Sequence, residues 1–260
     1  PLIPTLNDVF SQINMVFQFL EVPERSIVFS ATEASPVVVK DETLTDISAG
    51  IIATLSASPT FPAFVASFGL PEVAAPLVAG LLGSMYGQAR QANENDLLVL
   101  PSSSVIGTIN TDSVAFLMSQ GLSAELAGQF SAEGVSFPLE DKWVLIPSEQ
   151  VAIKNATDAY NATISNVVDS NSDLALVDLN FILGDARVNG VIFDNYTLQT
   201  ALVTGGLVSL DGIHLTARGY AYMANKFLEA IDAQFGSNFV ASGSVAKAGD
   251  YPTNYSPALQ

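Results

Sequence analysis

The chain has 260 residues, and 9 Lys and Arg against 26 Asp and Glu leave a formal net charge of −17, which repels nucleic acid and anionic lipid and makes polyanions poor substrates. With 49% hydrophobic and only 13% charged residues, the sequence can bury a core and lacks the composition of a disordered segment. The absence of cysteine excludes a disulfide framework, a thiolate nucleophile and a cysteine-based metal site; with one histidine and no carboxylate cluster at ligand spacing, no metal and no cofactor are expected.

Val9, Phe10, Ile13, Val16, Phe17 and Leu20 recur at helical spacing and Ile27-Val28-Phe29 follows as an apolar run, so a helix feeding a strand is expected first. Lys40 and Arg90 are scarce cations. Each is expected to pair with a carboxylate, the sharper alternative being a grip on a substrate carboxyl group. From Phe61 to Met85 the sequence is strongly apolar, but Pro62, Pro71, Pro76 and Glu72 interrupt it, so no integral membrane span of about 20 residues is expected. Two readings stay open there. One is a core helix over roughly 73–86; the other is an apolar lid or acyl-binding surface, with Phe61, Phe64, Phe68 and Leu70 facing a lipid-like substrate.

Leu97-Leu98-Val99-Leu100 reads as a buried strand. Ser102, Ser103 and Ser104 follow it where a nucleophile could sit, but no G-x-S-x-G elbow surrounds them, so a loop that caps backbone groups is the better reading. Helical signals at 113–119 and 124–130, with turn residues at Gly121, Gly134 and Pro138, suggest an insertion of the kind that shapes a substrate cleft. Trp143-Val144-Leu145-Ile146-Pro147 suggests a strand, 148–168 a helix, and Leu174-Ala175-Leu176-Val177 a strand closed by Asp178 as a structural turn residue. A last helix over 216–235 has Thr216 as its N-cap, Gly236 as its stop, and Tyr220, Met223, Phe227, Ile231 and Phe235 as an inward stripe. Beyond Phe239 a tail poor in periodicity is expected to wrap the surface or trail away. The N-x-Thr matches at Asn155, Asn161 and Asn195 are common by chance and carry no function.

Continuous apolar runs between helices indicate a parallel sheet covered on both faces. The expected fold class is therefore α/β: three layers, α/β/α, with a mainly parallel sheet and helical insertions at about 58–86 and 105–142. One domain is expected over 1–238, with 239–260 as a tail.

The only histidine lies in Asp211-Gly212-Ile213-His214-Leu215-Thr216. An acid three residues before it, in a glycine-containing loop feeding a helix, can set carboxylate and imidazole side by side. A carboxylate on one ring nitrogen fixes the tautomer and leaves the other nitrogen to take a proton from a serine hydroxyl. The bland alternative is an aspartate that caps the turn beside a histidine that merely packs.

The run from Thr204 through Asp211-Gly212-Ile213-His214, followed by Thr216, Gly219-Tyr220 and Met223-Ala224-Asn225, resembles the last block of the SGNH, or GDSL-type, esterase/lipase family, most closely its long secreted Bacteroidetes-type members. Similarity extends through Tyr86-Gly87-Gln88-Ala89-Arg90, 97–104, Leu176-Val177-Asp178 and Ile192-Phe193-Asp194, covering most of the chain. The resemblance implies an SGNH/flavodoxin-like α/β fold, hydrolysis of a small-molecule or lipid-like ester, and a secreted, periplasmic or outer-membrane location. It makes His214 the general base and Asp211 its orienting acid.

The family's Gly-Asp-Ser nucleophile and Gly-x-Asn-Asp oxyanion motifs are not present; the nearest strings are Gly184-Asp185-Ala186 and Asn93-Glu94-Asn95-Asp96. Pro1-Leu2-Ile3-Pro4-Thr5 has neither an initiator Met nor a signal peptide. The expectation is the C-terminal part of a longer hydrolase, nearly inert alone, whose partner is an N-terminal portion of the same protein carrying the serine. The alternative is a non-catalytic secreted or surface binding module on the same scaffold.

Overall fold

A computed structural model describes residues 2–254 and divides the chain into two compact units, Pro1–Asn155 and Ala156–Gln260.

The first unit is built on helices α1 (Leu2–Phe19), α2 (Ser48–Ala57), α3 (Phe61–Ser67) and α4 (Ala75–Tyr86). Their apolar faces meet in a core that includes Phe10, Ile13, Phe17, Ile51, Phe61 and Tyr86. The helical spacing of Val9 to Phe17 is what aims those side chains to one side of α1. Tyr86 is fully buried, packs edge-on against Phe10 at 5.6 Å and donates its hydroxyl to the Ser136 carbonyl at 2.6 Å. That bond offsets the cost of burying a polar atom. Strand β1 (Val38–Lys40) pairs antiparallel with β2 (Ala89–Gln91), Val39 facing Arg90, and Leu139 lies parallel on the other side of Val39. A second short pair, β3 (Leu97–Leu98) with β4 (Val144–Leu145), and helices α5 (Thr111–Ser119) and α6 (Ala124–Gln129) complete the unit. Helix α7 (Pro147–Asp169) carries the chain past residue 155.

The second unit contains α8 (Leu179–Asn189), the hairpin β5 (Val191–Phe193) and β6 (Tyr196–Leu198), and α9 (Ala217–Phe235). Phe193, Leu198, Leu207, Tyr222, Met223 and Ala248 form its core. Ala248 belongs to the tail. Its amide donates to Asp194 at 2.7 Å, Asn225 makes paired bonds with Ala246 at 2.8 and 3.0 Å, and the Arg218 side chain donates to the Tyr251 carbonyl at 3.0 Å. The tail up to Asn254 is thus fastened to the unit; its last residues lie outside those described.

The protein mixes helix and strand, 51% against 10%, and that share of strand is too small for a central covered sheet. Among the described residues every named sheet has two antiparallel strands, so the expected three-layer parallel sheet is not what these residues form. The physical reasons are local. Ile27-Val28-Phe29 is extended but not in a sheet, because side-chain amides take the place of a neighbouring strand. Asn14 bonds both the N–H and C=O of Ile27, Asn7 those of Phe29, and Gln91 those of Val28, at 2.7–3.1 Å. Leu97 and Leu98 are 53% and 42% exposed, and 174–177 forms no strand. Apolar runs of this length do not by themselves separate buried strand from surface segment. The α9 stripe also differs. Met223 faces inward as expected, but Tyr220, Phe227 and Phe235 are exposed and Ala221, Tyr222 and Asn225 take the inner face.

Candidate active site

The Asp211–His214 turn is held from both ends. Leu207, fully buried, accepts a bond from the Thr216 amide at 2.9 Å, and Val208 lies antiparallel to Leu215. Ser209 donates its amide to the His214 carbonyl at 2.8 Å and accepts from Gly212 at 3.0 Å, closing a tight loop. Gly212 supplies the left-handed backbone the loop requires, at φ 72°. Behind it, Thr216 caps α9 by accepting from the Gly219 amide at 2.9 Å. Gly219 leaves no room for a side chain, since a Cβ there would stand 2.4 Å from the Leu207 carbonyl oxygen. Cap and close approach together set the loop against α9.

Within the loop, His214 Nδ1 lies 2.6 Å from Asp211 Oδ2. The other carboxylate oxygen accepts from the Ser209 hydroxyl at 2.6 Å and from the Ile213 and His214 amides at 2.9 Å each. These four donors, the Ser209 hydroxyl first and the His214 ring next, hold the Asp211 carboxyl far below the usual carboxylate range. It is therefore ionised at neutral pH. A carboxylate at Nδ1 selects the tautomer with hydrogen on that nitrogen and leaves the Nε2 lone pair as a base. The imidazole side chain is 67% exposed, so Nε2 can be reached from solvent.

The turn supplies an acid–base pair and no more. Among the described hydrogen bonds no hydroxyl meets Nε2, and the nearby Ser209 hydroxyl gives its proton to Asp211. The amides of Gly212, Ile213 and His214 already donate within the turn, so none of these three is spare for an oxyanion. Sequence reasoning passed over Ser209. The signal available was its spacing, two residues before an aspartate, where a hydroxyl can close an Asx-type turn.

The other candidates have structural places. Arg90 joins Asp96 through two bonds of 2.6 and 2.8 Å and Asp41 through a third of 2.7 Å, so it is paired as expected, and Asp96 of Asn93-Glu94-Asn95-Asp96 is its partner. Lys40 pairs with Glu42 at the surface. Ser103 and Ser104 donate to the carbonyls of Leu100 and Pro101, as a capping loop does. Asp178 is the N-cap of α8, accepting from Phe181 at 2.8 Å, and Asp185 of Gly184-Asp185-Ala186 accepts from Asn189 within that helix. Trp143 is half-buried under Lys142.

In the apolar 61–85 region Phe61, Val65, Ala79 and Leu82 are core. Beside them Phe64, Phe68, Met85, Leu117 and Phe130 line an apolar cavity of about 30 Å³, the space of roughly one water and not of an acyl chain. Among the described residues no single helix is long and apolar enough to cross a membrane; α2 and α3 pass that test only as a pair bent by 93°. Comparison of the chain with protein-family models, with curated proteins and with solved structures yields no match.

Proposed function

We propose that the protein is a carboxylic-ester hydrolase of the SGNH type in which His214 is the general base and then the general acid, and Asp211 orients it. The observation that carries this reading is the 2.6 Å contact between Asp211 Oδ2 and His214 Nδ1 on a turn that leaves Nε2 open. The motif that runs from Thr204 to Asn225 adds the resemblance.

On this reading a serine outside these 260 residues supplies the nucleophile, together with the oxyanion donors. His214 Nε2 removes the serine proton as the oxygen attacks the acyl carbonyl. The tetrahedral oxyanion collapses, the ester C–O bond breaks and the imidazolium protonates the departing alcohol, leaving an acyl-enzyme. Water, deprotonated by the same nitrogen, attacks the acyl carbon; the second tetrahedral oxyanion collapses, the bond from the acyl carbon to the serine oxygen breaks, and the imidazolium returns its proton to that oxygen as the acid leaves. Asp211 holds the ring and balances the imidazolium charge without itself taking the proton. The strong net negative charge of the chain favours a neutral small-molecule or lipid-like ester over an anionic one. A secreted, periplasmic or outer-membrane location goes with the reading.

A second reading, a non-catalytic surface binding module, draws on the turn's own bonding: the amides of Gly212, Ile213 and His214 are already engaged. One experiment separates the two. The full-length gene product is treated with a fluorophosphonate, and the labelled peptide is identified. Labelling of a serine, abolished by His214→Ala, supports the hydrolase; a folded full-length product that takes up no label supports the binding module.

A further inference from the structure

Asp211 Oδ1 receives three donors, and they do different work. The Ile213 and His214 amides come from the turn itself and fix the height of the carboxylate above it. The Ser209 hydroxyl comes from the residue at the entry of the turn, whose amide donates to the His214 carbonyl at 2.8 Å beside the Val208–Leu215 bridge. It reaches the carboxylate at 2.6 Å. A carboxylate held only by its own turn keeps a soft rotation about its terminal torsion. A hydroxyl held at the entry of the turn by the Ser209–His214 backbone bond adds a third donor to Oδ1, which restrains that rotation and leaves Oδ2 facing the ring.

We propose that Ser209 is the positioning residue of the Asp211–His214 pair, locking the carboxylate plane so that Oδ2 holds the Nδ1-protonated form of His214. This deepens the acid–base reading above and rests on it for its catalytic meaning. Ser209 is not the nucleophile, because its proton is committed to Asp211 and not to His214 Nε2. Its hydroxyl also contributes more than His214 does to keeping Asp211 ionised.

The test uses the chain's single histidine, whose two ring nitrogens give one unambiguous pair of ¹⁵N signals. At about pH 9, where an imidazole is neutral, those shifts report the ratio of Nδ1–H to Nε2–H tautomers. The wild type and Ser209→Thr, which keeps the hydroxyl, are expected to hold mostly the Nδ1–H form. Ser209→Ala is expected to lower the ratio at least about threefold, with amide signals away from 205–220 unchanged, the loss of a charge-assisted bond being ample for that. An unchanged ratio in Ser209→Ala overturns the proposal. So does a change spread through the whole unit and shared by Ser209→Thr, which marks a general folding role. In the full-length gene product Ser209→Ala is expected to lower kcat about tenfold at unchanged KM, with Ser209→Thr restoring it; restoration failing in Ser209→Thr counts against positioning by the hydroxyl. If the wild-type product takes up no fluorophosphonate, the hydrolase reading falls while the tautomer ratio still decides the role of Ser209.

Discussion

Thr216 and Gly206 are joined across the base of the His214 loop, the threonine hydroxyl donating to the glycine carbonyl at 2.7 Å in a buried setting. The same oxygen accepts the Gly219 amide, so one side chain both ties the loop and starts α9. Thr216→Val keeps the shape and removes both bonds, leaving a buried carbonyl and a helix amide unpaired. The expected loss is about 2 kcal/mol in urea unfolding, while Thr216→Ser stays within about 1 kcal/mol of wild type.

Two glycines in helices should respond oppositely to alanine. Gly219→Ala drives a methyl to 2.4 Å from the Leu207 carbonyl oxygen and is expected to cost about 2 kcal/mol. Gly128→Ala, in α6 with nothing within 4 Å of the new carbon, is expected to gain about 0.5 kcal/mol from helix propensity. Chemical denaturation of both variants checks the pair.

Arg90 lies between two carboxylates, its own side chain 13% exposed and those of Asp41 and Asp96 6% and 1%. Arg90→Met strands both anions and is expected to destabilise the first unit by about 3 kcal/mol. Arg90→Lys recovers only part, because an ammonium cannot fork to both Asp96 oxygens. Urea midpoints followed by Trp143 fluorescence report this cluster.

The same cluster sets an acid limit. Burial pushes the Asp41 carboxyl up, but bonds from the Thr43 hydroxyl, Arg90 and the Thr43 amide outweigh it and the net shift is downward. Hydrogen bonding from Arg90 takes Asp96 down against its burial. A carboxyl with a lowered folded value stabilises fully above its unfolded value, about pH 4, and loses that contribution as pH falls through the folded one. Stability is therefore expected to be flat from pH 7 to about 5 and to drop below about 4, with a shallower drop in Arg90→Met. Urea midpoints between pH 2 and 7 measure the slope.

For the chemistry, Asp211→Asn removes the charge that orients the ring and keeps its size. In the full-length gene product it and His214→Ala are each expected to slow fluorophosphonate uptake by about 10⁴ while leaving the unfolding midpoint near wild type. The 260-residue chain alone is expected to take up no label. Labelling of Ser209 or of Ser102–Ser104 in that chain would contradict the assignment of the nucleophile to another segment.

Much of the helical framework was legible in the sequence. The α1 spacing, the α5 and α6 signals, the Thr216 cap and the φ 67° stop at Gly236 follow from local rules that hold wherever the segment sits. The Asp211–His214 contact was legible for the same reason, since three residues of a tight turn fix which side chains meet. Strand partners are not local. Nothing in Ile27-Val28-Phe29 says that Asn7, Asn14 and Gln91 will bond its backbone, because those partners stand 13 to 63 residues away. The outward turn of Tyr220, Phe227 and Phe235 likewise depends on what the rest of the unit packs against α9. The sequence by itself determined much of the helical framework and the Asp211–His214 turn, with Ser209 two residues before the aspartate, through short-range sterics and hydrogen bonding; only the tertiary structure decided which apolar runs pair and which stay on the surface, because those outcomes follow from contacts between distant segments.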